Sequence, residues 1–312
     1  MRSGIQLSPQ FYLCGRIYLG KSGRHHVHLG HGGFGLRRFF SRGTKILSCA
    51  LILIFCSDVA LAGGWPRAPG SGELITTVSR MRSNARTEDK IDTSTGKISP
   101  FRYRKTEITS YLELGLIDDL TAIGELAHTK ERSELVVGTF ENSGISRIKA
   151  GFRYAIGTWE ETLFSIQPLV TLHLEDISEN PVMIHSGDVD AEIALVLARS
   201  DSFMGVEVFS VQEIGWSWRN SDRPDEVRAD ITLGAKPRPG TMFLLKSLNG
   251  AALDSLPNEK HYRSNKLAFS LVQDLPQNIL PGTAFEAGVE RFIDGQGTID
   301  DTTFRVGLWY RF

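Results

Sequence analysis

Between Thr302 and Phe312 apolar and polar residues alternate without a break. Phe304, Val306, Leu308, Tyr310 and Phe312 share one side, and Thr303, Arg305, Gly307, Trp309 and Arg311 share the other. A period of two puts successive side chains on opposite faces of an extended strand and is incompatible with an amphipathic helix. The pattern returns three more times. In 225–236, Val227, Ala229, Ile231, Leu233 and Ala235 oppose Arg228, Asp230, Thr232, Gly234 and Lys236. In 147–156, Ile148, Ala150, Phe152, Tyr154 and Ile156 oppose Arg147, Lys149, Gly151 and Arg153. In 188–197, Val189, Ala191, Ile193, Leu195 and Leu197 oppose Asp188, Asp190 and Glu192. No amphipathic helix stands out after residue 72. Strands are predicted near 73–82, 101–115, 120–130, 144–156, 161–175, 187–199, 203–214, 226–236, 241–248, 263–272, 283–293 and 302–312. The 120–130 and 241–248 segments alternate least clearly.

The connections alternate in length. Long ones are expected near 83–100, 131–143, 176–186, 215–225, 249–262 and 294–301. Short ones are expected at 117–119, 157–160, 200–202 and 237–240, with a Pro-broken one at 273–282. Long loops on one side and tight turns on the other, with both termini on the turn side, describe an all-β, up-and-down antiparallel transmembrane barrel of about 12 strands. A soluble sandwich also alternates, but it turns its apolar face to a core and its polar face to water. In a membrane barrel the polar face lines the lumen, and here that face is crowded with charge of both signs. The candidate lumen-lining residues are Glu73, Glu107, Glu113, Arg147, Lys149, Arg153, Asp190, Glu192, Arg228, Asp230, Lys236, Glu286, Glu290, Arg305 and Arg311. Pairing the last two strands brings Glu290 near Arg305, and closing the barrel brings Arg311 near Glu73. Tyr154, Trp159, Phe203, Tyr310 and Phe312 fall near strand ends, where aromatic girdles sit. Pro168 interrupts the strand at 161–175, and a bulge is expected there because proline cannot donate to a ladder.

The first 62 residues differ chemically from the rest. They hold eight Lys/Arg against one acid, Asp58, and all three cysteines, Cys14, Cys49 and Cys56. Arg37, Arg38, Arg42 and Lys45 form a basic n-region, Ile46–Ser57 an apolar h-region, and Ala60-Leu61-Ala62 a small-residue cleavage motif before Gly63. The apolar run is shorter than the ~18–20 residues that span a bilayer, which argues for cleavage rather than an anchor. A lipoprotein reading on Cys49 is weaker, because the apolar core follows that cysteine. Residues 1–36, with His25, His26, His28 and His31, read as a wrongly chosen upstream start or, alternatively, a metal-binding tract. The expected organisation is therefore an extension and signal peptide at 1–62, a Gly/Pro-rich periplasmic lead-in at 63–72, and a barrel at 73–312. Removing 1–62 from the totals of 35 Lys/Arg and 36 Asp/Glu leaves 27 and 35, a net of −8 with no cysteine. Such a chain suits an oxidising compartment and is a poor nucleic-acid binder.

The ending Phe304–Phe312 resembles the C-terminal signal of Gram-negative outer-membrane proteins. That resemblance implies insertion by the barrel-assembly machinery, contact with outer-membrane lipid, and an assembly signal of Phe304, Val306, Leu308, Tyr310 and Phe312. Gly64-Trp65-Pro66 and the 103–119 segment loosely resemble uncharacterised barrels grouped with phenol-degradation-pathway outer-membrane proteins. Neither resemblance supplies a catalytic residue.

Chemistry-bearing motifs are sparse. No P-loop, dinucleotide fingerprint, zinc spacing or EF-hand loop is present, and no cofactor is implied. Of His128, His173, His185 and His261, His173 shares the polar face with Ser165 and Glu175. Ser165 is eight residues, ~26 Å, away along the strand. Asp188/Asp190/Glu192 and Glu286/Glu290 are expected to pair with lumen bases rather than bind a cation. The expectation is a non-enzymatic outer-membrane channel or transporter for small solutes. A non-transporting envelope or surface-interaction barrel is the alternative. An outer-membrane hydrolase and a soluble periplasmic barrel rank below these.

Overall fold

The computed structural model describes residues 63–86, 102–135, 138–174, 189–219, 224–253 and 262–312. The signal-peptide features, Glu175, His185, Asp188 and His261 lie outside them. Among the described residues, twelve antiparallel strands close into one barrel. They are β1 (Gly72–Arg86), β2 (Arg102–Ile117), β3 (Leu120–Leu135), β4 (Gly138–Trp159), β5 (Thr162–His173) and β6 (Val189–Phe203), followed by β7 (Val206–Arg219), β8 (Glu226–Arg238), β9 (Thr241–Ala252), β10 (Arg263–Asp274), β11 (Thr283–Gln296) and β12 (Ile299–Arg311). Each strand pairs with its sequence neighbours, and β1 pairs with β12 to seal the wall, with Glu73 opposite Arg311.

The alternation divides the wall as the period of two requires. Val78, Ile108, Leu126, Phe152, Leu195, Phe269, Phe304 and Leu308 are exposed on the outside, while Glu73, Glu113, Arg153, Glu286 and Glu290 are buried inside. A water-soluble sandwich would reverse this arrangement. Segments 120–130 and 241–248 alternate poorly for identifiable reasons. In β9 the inward Met242 and Leu244 are as apolar as the outward Phe243 and Leu245. In β3 the inward Ile123 and Ala127 are apolar and buried, and the outward face carries His128.

Several expected boundaries move. The loops placed at 131–143 and 294–301 are mostly strand, because β3 and β4 continue to Leu135 and from Gly138, and β11 and β12 to Gln296 and from Ile299. Strand β6 runs through Ser200–Ser202, and the turn falls on Met204 and Gly205, both with positive φ. The turn expected at 157–160 shifts to Glu160 and Glu161, at φ 45° and 67°. Paired positive φ values give the two-residue hairpin turn whose twist matches the flanking strands.

Pro168 causes no bulge. Its pairing with Ile193 on β6 stays in register. On the β4 side the ladder resumes in the same frame on either side of it, from Gly151↔Leu169 to Tyr154↔Ile166. The missing N–H is absorbed as a local gap, and the register shift of that hairpin lies between Ala155 and Gly157. Close approach of the strands takes the bulge's place. A Cβ on Gly151 would lie 2.2 Å from the Pro168 carbonyl oxygen. Gly151→Ala is therefore expected to cost about 1–3 kcal/mol by overpacking, read as a lowered urea midpoint, whereas Ala150→Val on the outer face should be near neutral.

Candidate functional site

The barrel end that carries Gly72 and Phe312 has an inner wall split into two halves. One half is apolar. Val196, Ala198, Phe209, Val211, Met242, Leu244, Val272, Ala284 and Trp309 form a single buried cluster across β6, β7 and β9–β12. The other half, on β1–β4, is polar and holds the buried Glu73, Glu113, Thr121 and Arg153.

The lead-in bridges the two. Trp65 packs on the apolar cluster, its ring 6.1 Å from that of Phe209 at 81°. Gly64 lies so close to the wall that a Cβ would meet Ala198 at 2.7 Å and Val211 at 2.9 Å. Two residues after Trp65, Arg67 donates from Nε to Glu113 at 2.8 Å and from Nη2 to Glu73 at 2.5 Å. Its backbone amide donates to Thr121 Oγ1 at 2.9 Å. Gly70 donates to the Gly115 carbonyl, and Gly115 to that of Ser71, each at 2.9 Å. The segment read as an extended lead-in is thus a strap inside the barrel mouth, fixed by an indole at one wall and a guanidinium at the other.

From Arg67 the charges run on as a chain of contacts. Glu73 also accepts from Arg311 Nε at 2.9 Å, and Arg311 reaches Asp274 at 3.2 Å. Glu113 accepts from Arg153 at 3.0 Å and from the Tyr111 hydroxyl at 2.8 Å. Arg153 donates to Gln167 at 2.9 Å, and Gln167 to Glu213 at 3.0 Å. Gln167 reaches β7 past β6, where Ala194 is small and buried. Arg228 then joins Glu213 to Glu192, at 2.6 Å from the latter, and to Asp230 at 2.8 Å. Farther along the lumen, Arg147 pairs with Glu125 at 2.6 Å, and Lys105 with Glu107 at 2.8 Å. Lys266 reaches Glu290 at 3.2 Å and Asp301 at 2.8 Å. Arg305 donates to Glu290, Lys236 to Glu207 at 3.2 Å, and the Trp309 indole to Glu286 at 2.9 Å.

Lys149 and Lys246 stand apart, with no ion pair among the described residues. The charges facing Lys246 are Glu286, Glu290, Asp230 and Arg305. His173 contacts Asp190 at 2.9 Å, and Arg219 lies 3.8 Å from the same carboxylate. Ser165 is buried with no partner for its hydroxyl among the described residues and sits near the opposite end of β5 from His173. Among the described residues no group of three or more His, Cys, Asp or Glu is arranged to hold a metal.

Alternation alone could not place Arg67, Trp65, Gln167 or Glu213 at these contacts. Arg67 and Trp65 precede the first strand and have no parity. Gln167 and Glu213 are inward by parity, but their contact across β6 depends on the size of Ala194. The retrievable signal for Arg67 was charge balance, since Glu73 and Glu113 share one inner wall near the seam.

No family model matches the chain, and no curated protein matches it. Solved structures do. The COG4313 outer membrane channel from Pseudomonas putida F1 superposes with a TM-score of 0.56 at 10% identity, over 82% of this chain and 100% of that chain. This is the fold of a bacterial outer-membrane β-barrel. LpxR from Salmonella typhimurium gives a TM-score of 0.47 at 9% identity, over 77% of this chain and all of its own. The NanC porin gives 0.46 at 10% identity, over 76% of this chain and all of its own.

In an outer-membrane barrel the exposed apolar wall meets lipid, and the inner charges meet water or one another. Removing Arg67 would leave two buried carboxylates short of a partner. Arg67→Ala is expected to cost about 3–5 kcal/mol, measured as a lowered urea midpoint of the reconstituted protein. Arg67→Lys should recover only part of this, because one ammonium cannot match the forked contact to Glu73 and Glu113.

Proposed function

We propose that this protein is a narrow outer-membrane channel for small solutes, with the strap at Gly63–Gly70 as the constriction of its periplasmic mouth. The supporting observation is the lining beyond the strap. It carries fixed charges of both signs and two ammonium groups, Lys149 and Lys246, without ion pairs among the described residues. Charged rings of this kind set ion preference in barrels and pores. Twelve strands give an interior between the side-chain-filled eight-stranded barrels and the open sixteen-stranded porins. The fold shared with a protein described as an outer membrane channel agrees with this reading. The same proposal includes export by a signal peptide cut after Ala62 and insertion through the assembly signal ending at Phe312.

One observation favours the alternative of a non-transporting envelope barrel: Trp65 and Arg67 are anchored on opposite walls of the mouth. Single-channel recording of the protein in planar bilayers separates the two readings. The channel predicts small discrete conductance steps, a several-fold larger conductance for Arg67→Ala, and a shift toward cations for Lys246→Glu. No current from either the native chain or Arg67→Ala would overturn it and leave the envelope barrel. Recovery of the protein in the soluble periplasmic fraction would overturn both.

A further inference from the structure

The outer wall carries a second concentration of charge that the lumen does not explain. On the outward faces of β1, β2 and β3, at the barrel end opposite Gly72 and Phe312, the register places Arg82 opposite Arg104 and Arg104 opposite Arg132. The next row toward the apolar band holds Arg80, Thr106 and Lys130. The row below it holds Val78, Ile108 and His128, where the apolar surface begins. Arg80, Arg82, Arg104, Lys130 and Arg132 are all exposed. Arg132 is neutralised by Glu134 at 3.1 Å and Glu141 at 2.7 Å. Arg80, Arg82, Arg104 and Lys130 form no ion pair among the described residues.

This arrangement is unfavourable by itself. Directly opposed residues of an antiparallel pair have Cβ atoms about 4.5–5.5 Å apart, and like charges there destabilise the sheet. Its cations also run against the net charge of −8 left by the 27 bases and 35 acids of residues 63–312. The location says what offsets the repulsion. The patch borders the lipid-facing band, with Arg80 directly opposite Phe304 of β12. It lies at the end that an outer-membrane barrel turns to the cell exterior. Long arginine and lysine side chains there can lay their methylenes on the apolar wall and lift their charges to the headgroup level. Guanidinium groups bind phosphate through paired, charge-assisted hydrogen bonds.

We propose that Arg80, Arg82, Arg104 and Lys130 form a binding site for the phosphate groups of an acylated glycolipid in the outer leaflet of the outer membrane. Its acyl chains would lie along Val78, Ile108 and Leu126 below. The site rests on insertion of the barrel in an outer membrane and is independent of whether the lumen conducts.

The test uses the full chain, expressed in a Gram-negative host, extracted in detergent and returned to nanodiscs. Diphosphorylated lipid A is titrated and bound glycolipid is counted by native mass spectrometry. The native protein should retain about one glycolipid per barrel. Arg82→Gln/Arg104→Gln should weaken binding more than tenfold, and Arg82→Lys/Arg104→Lys should restore part of it, because an ammonium keeps the charge but not the paired contact. Heat-modifiable migration of each variant shows whether the barrel is folded, and should the double variant not fold, Arg80→Gln/Lys130→Gln is read in its place. Unchanged binding by a folded Gln variant would overturn the site. Equal binding of phosphatidylglycerol would reduce it to general attraction to anionic lipid, and displacement by millimolar inorganic phosphate would make it a free-phosphate site. Either result overturns the glycolipid assignment. Failure of the native protein to enter the outer-membrane fraction would instead reject the membrane placement on which it rests.

Discussion

Glu73 is where closure of the barrel and anchoring of the strap in its mouth meet. The seam between β1 and β12 sets it opposite Arg311, which donates to it, and Arg67 of the strap donates to the same carboxylate. A barrel of consecutive hairpins is held by local ladders everywhere except at this seam, where partners more than 200 positions apart must find each other. Burying a carboxylate there is costly unless its lone pairs are filled. Two guanidiniums fill them. The strap therefore helps satisfy the seam, and the seam fixes the strap.

The split wall explains why a strap of this composition can sit in the mouth. A wholly charged mouth would offer Trp65 no apolar partner, and a wholly apolar one would strand the Arg67 charge. Val211 and Phe209 on one side and Glu73 and Glu113 on the other suit an indole and a guanidinium two residues apart. Beyond the mouth, the chain of contacts through Arg153, Gln167, Glu213 and Arg228 ties β2, β4, β5, β7 and β8 together by side chains as well as by backbone. Such a lining keeps polar groups along the lumen, as the proposed channel requires.

What could be read from the sequence follows from which surface imposes a rule. Lipid imposes one on the outward positions of the apolar band, so Phe304 to Phe312, and Ile148 to Ile156, announced their strands and their faces. The strand count, the closure and the opposition of Glu73 to Arg311 followed from parity and connectivity. The lumen imposes no comparable rule. It admits Met242 and Leu244 as readily as Lys246, which is why β9 alternated poorly. Turn positions were legible only to within a few residues, because Ser200–Ser202 are compatible with both strand and turn and the positive φ falls on Met204. Pro168 led to the expectation of a bulge, since a lost donor usually disrupts pairing. The structure meets the loss with Gly151 and a short gap, a solution visible only when the neighbouring strand is in place.

The outward cations of β1–β3 face a different constraint from the lumen charges. Lumen charges need no special account, because an inner wall can pair Arg147 with Glu125 or Arg153 with Glu113 across neighbouring strands. An outward charge at the edge of a lipid-facing wall has fewer options: water, a neighbour or a headgroup. Arg132 takes the second, through Glu134 and Glu141. Arg104 stands between Arg82 and Arg132 in the ladder, so both of its cross-strand neighbours are cations. Solvation alone would favour spreading such charges apart, and β1–β3 instead stack them in adjacent rows against the apolar band. The arrangement becomes favourable when the third partner is present, an anion fixed at headgroup height, and a phosphorylated lipid is the anion that a membrane wall meets there.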